Sequence, residues 1–259
     1  MYKRQTQGGK RDGANMAVMS VYHPDILDFI DCKSVEGDIH NFNISVGVDT
    51  QFMKMVEYDM DYGLIDPHTR HMVTSLPARS VFRKIVEGAW RNGEPGVIFL
   101  DTVNSDNKVK GEYGEMIATN PCGEQPLLPN ESCNLGSINV AKFYIDDWTG
   151  DWETSIDWAR LGTVTKLAVN FLDNVIDANY YATPEIEEMT KSTRKIGVGI
   201  MGFADLLTQL RIPYNSLEAR NIGRKLIGYI TAMADMASLE LGVKRGPFPA
   251  FENSDFNHI

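Results

Sequence analysis

Cysteine is scarce in this chain. Three cysteines in 259 residues, an odd number without dense spacing, exclude a secreted disulfide scaffold and point to a reducing cytoplasm. Cations are also short, with 25 Lys and Arg against 35 Asp and Glu, and the net charge of −10 leaves no basic surface for nucleic acid. Small anionic ligands remain compatible with that charge, because a helix start or a glycine-rich turn binds phosphate locally. The first twenty residues, MYKRQTQGGKRDGANMAVMS, lack a continuous apolar run, so they form neither a signal peptide nor a spanning helix, and no membrane partner is expected. Internal repeats, low-complexity tracts and linker-like stretches are missing too. What remains, 43% apolar and 23% charged, is the composition of an ordinary soluble protein long enough to bury a core.

The apolar spacing describes alternating strands and helices. Met16 to Val21 follows a glycine-rich cationic turn and reads as a strand, a short helix runs from His23-Pro24 to about Ile30, and Asn43 to Val48 alternates as a strand does. Helices are expected from Thr50 to about Tyr58 and over Ser80 to Asn92, the latter stopped by Gly93-Glu94-Pro95-Gly96. Val97 to Leu100 has the unbroken apolar character of a strand covered on both faces. Residues 101 to 119 are polar and read as loop, and Cys133 to Val140 as a strand. Beyond Trp148 helices dominate: one over Leu161 to Val175, a short one from Pro184, one over Phe203 to Leu210, and a long one from Asn215-Ser216 to about Leu241. Lys195 to Met201 supplies a further strand. This is an α/β pattern in one continuous body.

The segment NPCGEQPLLPNESC, residues 120 to 133, holds two of the three cysteines eleven positions apart among three prolines. Zinc binding needs paired ligands two to four residues apart, which neither Cys122 nor Cys133 has. A disulfide does not suit a reducing compartment. Buried thiols acting as small apolar groups are the commonest outcome for any cysteine. The neighbours favour chemistry: in an extended backbone the alternate residues Asn120, Cys122 and Glu124 would share one side, bringing an amide, a thiol and a carboxylate together. Pro121 and Gly123 would stiffen and thin the loop. Cys32 lies apart from any motif and reads as inert, and His23, His40, His68, His71 and His258 show no ligand spacing.

NPCGEQPLLPNESCNLGSINV closely resembles the active-site segment of ribonucleotide reductases, particularly the adenosylcobalamin-dependent class. QGGKRDGANMAV, HPDILDFIDCK, NFNISVGV, EPGVIFLDTVN and RKIGVGIMGFADLL extend the resemblance from about residue 6 to about 256. The resemblance implies part of a ten-stranded α/β barrel in which residues 120 to 130 form a central finger loop. It implies Cys122 as the thiyl radical that takes the 3′ hydrogen of a ribonucleotide, Glu124 as general base on the 3′ hydroxyl, Asn120 as a substrate-holding amide, and Cys133 as one of two cysteines that supply electrons. Residues 7 to 15 resemble the specificity loop that answers a deoxynucleotide effector, with Gln7 and Arg11 the candidates for base contacts. Adenosylcobalamin, a thioredoxin-like reductant and a homodimer of the full-length protein are the implied cofactor and partners.

The family's second redox cysteine, its phosphate-gripping turn and its C-terminal cysteines have no counterpart here. Residues 1 to 5, MYKRQ, fit the family poorly and resemble a translated transposon adapter, so the expected organisation is a non-native leader at 1–5 and a partial catalytic barrel at 6–259, inactive and poorly soluble by itself. Two alternatives stay open: the large subunit of a class I reductase, which receives its radical from a separate subunit, and a non-catalytic nucleotide-binding module.

Overall fold

A computed structural model of the chain describes residues 6–7, 11–35, 39, 41–109, 111, 113–146 and 150–258. The leader at 1–5, His40, and the side chains of Gln7, Arg11 and His258 lie outside the described residues. Two compact units divide the chain at Pro129 and Asn130, a boundary that no linker composition announces.

The first unit opens with β1 (Thr6–Gln7) and β2 (Arg11–Asp12), an antiparallel pair in which Gln7 and Arg11 are cross-strand partners. Its centre is a parallel sheet of β3 (Asn15–Ser20), β4 (Phe42–Val48) and β7 (Gly96–Phe99), with β4 in the middle. Between β3 and β4 runs α1 (Ile26–Asp31); between β4 and β7 come α2 (Thr50–Glu57), an antiparallel hairpin of β5 (Asp61–Ile65) and β6 (Met72–Pro77), and α3 (Ala78–Asn92). After β7 follow α4 (Leu100–Ser105), β8 (Ala118–Thr119) and β9 (Pro126–Leu127).

Alternation along β4 gives the sheet two unlike faces. Val46 and Val48 are buried in a core with Val21, Ile26, Phe52 and Ile85. Burying each such side chain stabilises the fold by about 1.5–3 kcal/mol. Asn43, Ser45 and Gly47 alternate with them and occupy the opposite face. Local signals fix the helices: Asp49 caps α2 by accepting the Phe52 N–H at 2.7 Å, and Gly93, at φ +85°, closes α3 by donating to the Ala89 carbonyl.

One expectation needs correction in this unit, and one hairpin had no reading from the sequence. The polar stretch after residue 100 is not all loop: α4 forms there, and the Asn104 amide stitches it forward, donating to the Leu100 and Met116 carbonyls and accepting the Met116 N–H at 2.8 Å. The β5–β6 hairpin had no clear signature because most of β6 is exposed. Its turn is held instead by Asp66, whose carboxylate accepts the N–H groups of His68 and Thr69 at 2.8 Å each.

The second unit pairs β10 (Asn134–Asn139) in parallel with β11 (Ile196–Met201) over six residues. The crossover contains α5 (Trp158–Ala178) and α6 (Pro184–Thr193); α7 (Phe203–Gln209) and α8 (Leu217–Arg245) follow β11. Ile138, Leu161, Leu206, Ile222, Leu226 and Ile230 share its core. Gly202, at φ +74°, makes the turn into α7 where an added Cβ would lie 2.3 Å from the Asn139 side chain, so only glycine fits.

Arg194 ends α6 in the left-handed conformation, φ +46°. Its guanidinium donates to Asp173 at 2.8 Å and to both carboxylate oxygens of Asp177 at 2.9 Å. The long helix runs past Gly242, which does not stop it. Arg245, in the last turn, pairs with Asp173 and donates to Asn174 at 2.7 Å, contacts that support the extra turn.

α8 is long and apolar enough to cross a membrane by length and composition. One stripe of it, Ala219, Ile222, Leu226 and Ile230, faces the unit's own core. Both units are thus α/β, and five parallel strands carry them. No sheet among the described residues closes on itself.

Candidate active site

The segment from 118 to 127 forms a hairpin, because β8 and β9 pair antiparallel with Thr119 opposite Pro126. Its tip is tightly turned. Asn120 donates its N–H to the Gln125 carbonyl at 3.1 Å, and Gly123 donates its N–H to the Asn120 carbonyl at 3.0 Å. The Asn120 side chain closes the loop from within, its carbonyl oxygen accepting the Gln125 N–H at 2.9 Å. Pro121 suits the first central position of such a turn, and Gly123, at φ +83°, takes a conformation that other residues avoid.

An extended run over 120–124 is therefore not what forms; the turn replaces it because three hydrogen bonds and two conformationally specialised residues favour reversal. Asn120 is half-buried, while Cys122 and Glu124 are exposed at the tip. Among the described residues no hydrogen bond joins the three side chains. The tip presents a thiol and a carboxylate, with an amide committed at its base.

Beneath the tip lies an open cavity of about 570 Å³. Its walls include Asn43 and Ser45 of β4, Gly96 and Ile98 of β7, Thr102 of α4, and Cys122 itself. A volume of this order accommodates a small-molecule ligand. The sheet presents small and polar groups here: an added Cβ at Gly96 would lie 2.7 Å from the Ser45 hydroxyl, and one at Gly47 would lie 3.0 Å from Leu100. Asn43 donates its amide to the Pro121 carbonyl, tying the tip to the sheet. Glu94, on the cavity rim, pairs with the largely buried Lys33 and accepts the Ile44 N–H at 3.3 Å, which braces the start of β4. Sequence reasoning missed Asn43 and Ser45. Their signal was present in NISVGV, where polar or small residues alternate with apolar ones.

Cys133 belongs to the second unit and sits one residue ahead of β10. It is half-buried, and its thiol donates to the Asn134 carbonyl at 3.5 Å. An added Cβ on Gly197 of β11 would lie 3.9 Å from the sulfur, so the thiol lies against that glycine. The flanking residues are anchored by buried polar pairs. Glu131, its side chain fully buried, meets Lys195 at 2.8 Å, and the Ser132 and Thr190 hydroxyls lie 2.7 Å apart. Asn134 donates to the Leu172 carbonyl at 3.0 Å.

Cys32 falls at the end of α1, and burial pushes its thiol pKa up, which suits an unreactive group. His23 accepts the Asp25 N–H at 3.1 Å, and His68 and His71 lie in the β5–β6 turn. No group of three metal-ligating side chains occurs among the described residues.

The family model described as "Ribonucleotide reductase, barrel domain" matches residues 1–259. The chain is 46% identical over 251 residues to a vitamin B12-dependent ribonucleoside-diphosphate reductase of Thermoplasma acidophilum, covering 96% of this chain and 32% of that protein. Identity is also 46% over 252 residues to a protein of the same name from Mycobacterium tuberculosis, covering 97% and 35%. A ribonucleoside-diphosphate reductase large subunit of vaccinia virus is 30% identical over 277 residues, covering 95% and 35%. The chain thus spans about a third of the length of the relatives it matches.

Proposed function

Since the chain belongs to the ribonucleotide reductase barrel-domain family, we propose that it is the part of a reductase that presents the reactive sulfur to a ribonucleoside diphosphate. The observation that carries this reading is a tightly turned hairpin tip whose Cys122 lines a ligand-sized cavity, with Asn120 and Glu124 on the same turn but not among the cavity's lining residues. Cys122, as a thiyl radical, takes the 3′ hydrogen and gives it back to C3′ at the end of the turnover, which regenerates the thiyl radical. Glu124, exposed at the tip, accepts the 3′ hydroxyl proton. Asn120 keeps its amide N–H groups for a substrate oxygen, because its carbonyl oxygen is already engaged. The reduction needs two electrons and two protons: Cys133 and a second thiol close to a disulfide, while the 2′ hydroxyl leaves as water and hydrogen takes its place.

Cobalamin in its adenosyl form is the proposed radical source, supported by higher identity to the B12-dependent relatives than to the viral large subunit. The cavity beside Cys122, open and about 570 Å³, does not fit around a group as large as a corrin. Gln7 and Arg11, opposed on the β1–β2 ladder, are the proposed contacts to substrate base and deoxynucleotide effector. A thioredoxin-like reductant, a homodimer and a cytoplasmic setting complete the proposal.

The decisive experiment replaces Cys122 by Ser in a full-length reductase containing this segment. Deoxynucleotide formation should vanish while nucleotide binding persists. Unchanged turnover would refute the assignment. Radical formation on adding adenosylcobalamin without any second subunit separates the B12-dependent reading from the class I one.

A further inference from the structure

We propose that Asn43 is a positioning residue for Cys122, an assignment that rests on Cys122 being the hydrogen-abstracting sulfur. The Asn43 amide donates to the Pro121 carbonyl across 78 positions of sequence. That carbonyl is half of the peptide unit joining Pro121 to Cys122, so the bond sets the plane from which the cysteine Cα departs.

The remaining hydrogen bonds of the tip do something different. The bond from Gly123 to Asn120, and the two exchanged between Asn120 and Gln125, are internal to the hairpin. They define the shape of the tip without locating it over the sheet, and the ladder behind them has only two residue pairs. Asn43 adds a hydrogen-bonded reference to a fixed body, beside the packing of β8 against β3. β4 is paired on both sides, and its neighbours Ile44 and Val46 are buried. Its entry is further held by Lys33, which donates to the Phe42 carbonyl, and by Glu94. Asn43 itself is exposed, so its amide contributes little to the core and is free to serve the tip.

Hydrogen transfer between sulfur and carbon demands close approach, and a displacement of about 1 Å at a reacting atom costs on the order of 100-fold in rate. Releasing the tip from β4 should therefore act on the chemical step more than on substrate binding.

The test compares Asn43→Asp and Asn43→Ala with wild type in a full-length reductase containing this segment, with Cys122→Ser as control. Asp keeps the size of Asn but has no N–H to donate. Both Asn43 variants should lose about 10- to 100-fold in kcat with KM changed less than about 3-fold. Their melting temperatures should stay close to wild type; if Asn43→Ala fails to fold, Asn43→Asp decides alone. Wild-type kcat in Asn43→Asp, with Cys122→Ser inactive, would overturn the positioning role and leave the functional reading standing. A loss expressed in KM with kcat retained would overturn it as well. Turnover by Cys122→Ser would bring down both.

Discussion

Cys122 and Cys133 are mounted in opposite ways. Cys122 stands exposed on a turn whose shape comes from backbone hydrogen bonds, one asparagine and a glycine with positive φ. Cys133 is half-buried before a parallel strand, and the chain leading to it is anchored by a buried carboxylate–ammonium pair and a hydroxyl pair. A sulfur that must reach a substrate benefits from a thin, stiff mount, which many side chains would obstruct. A sulfur that must only give up electrons on demand benefits from a protected one. On the proposed roles, this contrast accounts for the small, φ-specialised Pro121 and Gly123 beside Cys122 and the paired polar residues beside Cys133.

The contrast can be broken most forcefully at Glu131. Removing one member of a buried pair costs about 3–5 kcal/mol, so Glu131→Ala should lower the denaturation midpoint of the second unit strongly and raise the alkylation rate of Cys133 without changing that of Cys122. Mass spectrometry of iodoacetamide-treated protein reads both thiols at once. In wild type the same assay should give Cys122 a lead over Cys133 of at least about tenfold, roughly 1.4 kcal/mol in accessibility. Equal rates would show that the two mounts do not differ in solution.

A smaller effect is expected at the turn. Gly123→Ala meets no neighbour within 4 Å, so its cost is backbone strain alone, about 1–2 kcal/mol at positive φ. It should loosen the tip with no effect on Cys133 reactivity. Smallest of all is Asp177→Asn. The hydrogen bond from Arg194 holds the Asp177 carboxyl below its ordinary value, and this is only partly offset by burial. A depressed folded pKa stabilises above the unfolded value near pH 4 and is lost as pH falls through the folded value. Because Asp177 is largely exposed, the variant should cost only about 0.5 kcal/mol at neutral pH, fading in acid. Urea titrations at pH 7 and pH 3 measure it.

Much of this architecture was legible from residue order. The strand at Asn43 to Val48, the helix over Ser80 to Asn92 and the strand beginning at Lys195 all carry the right period or the right stop signal, and each forms within a few residues of its expected bounds. What escaped was whatever depends on partners distant in sequence. α4 forms in a polar stretch because Asn104 finds Met116, and α8 outlasts Gly242 because Arg245 finds α5. At the candidate site the identities of Asn120, Cys122 and Glu124 were readable, but their strand-like alternation was not the geometry adopted. Turn chemistry at Pro121 and Gly123 outweighed it. The role of Asn43 depends on a contact with Pro121 that no local pattern could reveal.

Arg194 bears on how β11 keeps its frame. The main chain runs from this residue through Lys195 into the strand while its fork stays locked on Asp173 and Asp177 of α5. A slip of one position would turn every β11 side chain to the wrong side. It would also tear the fork from both acids, so the arginine works as a rivet that gives the strand a single zero mark from which to count.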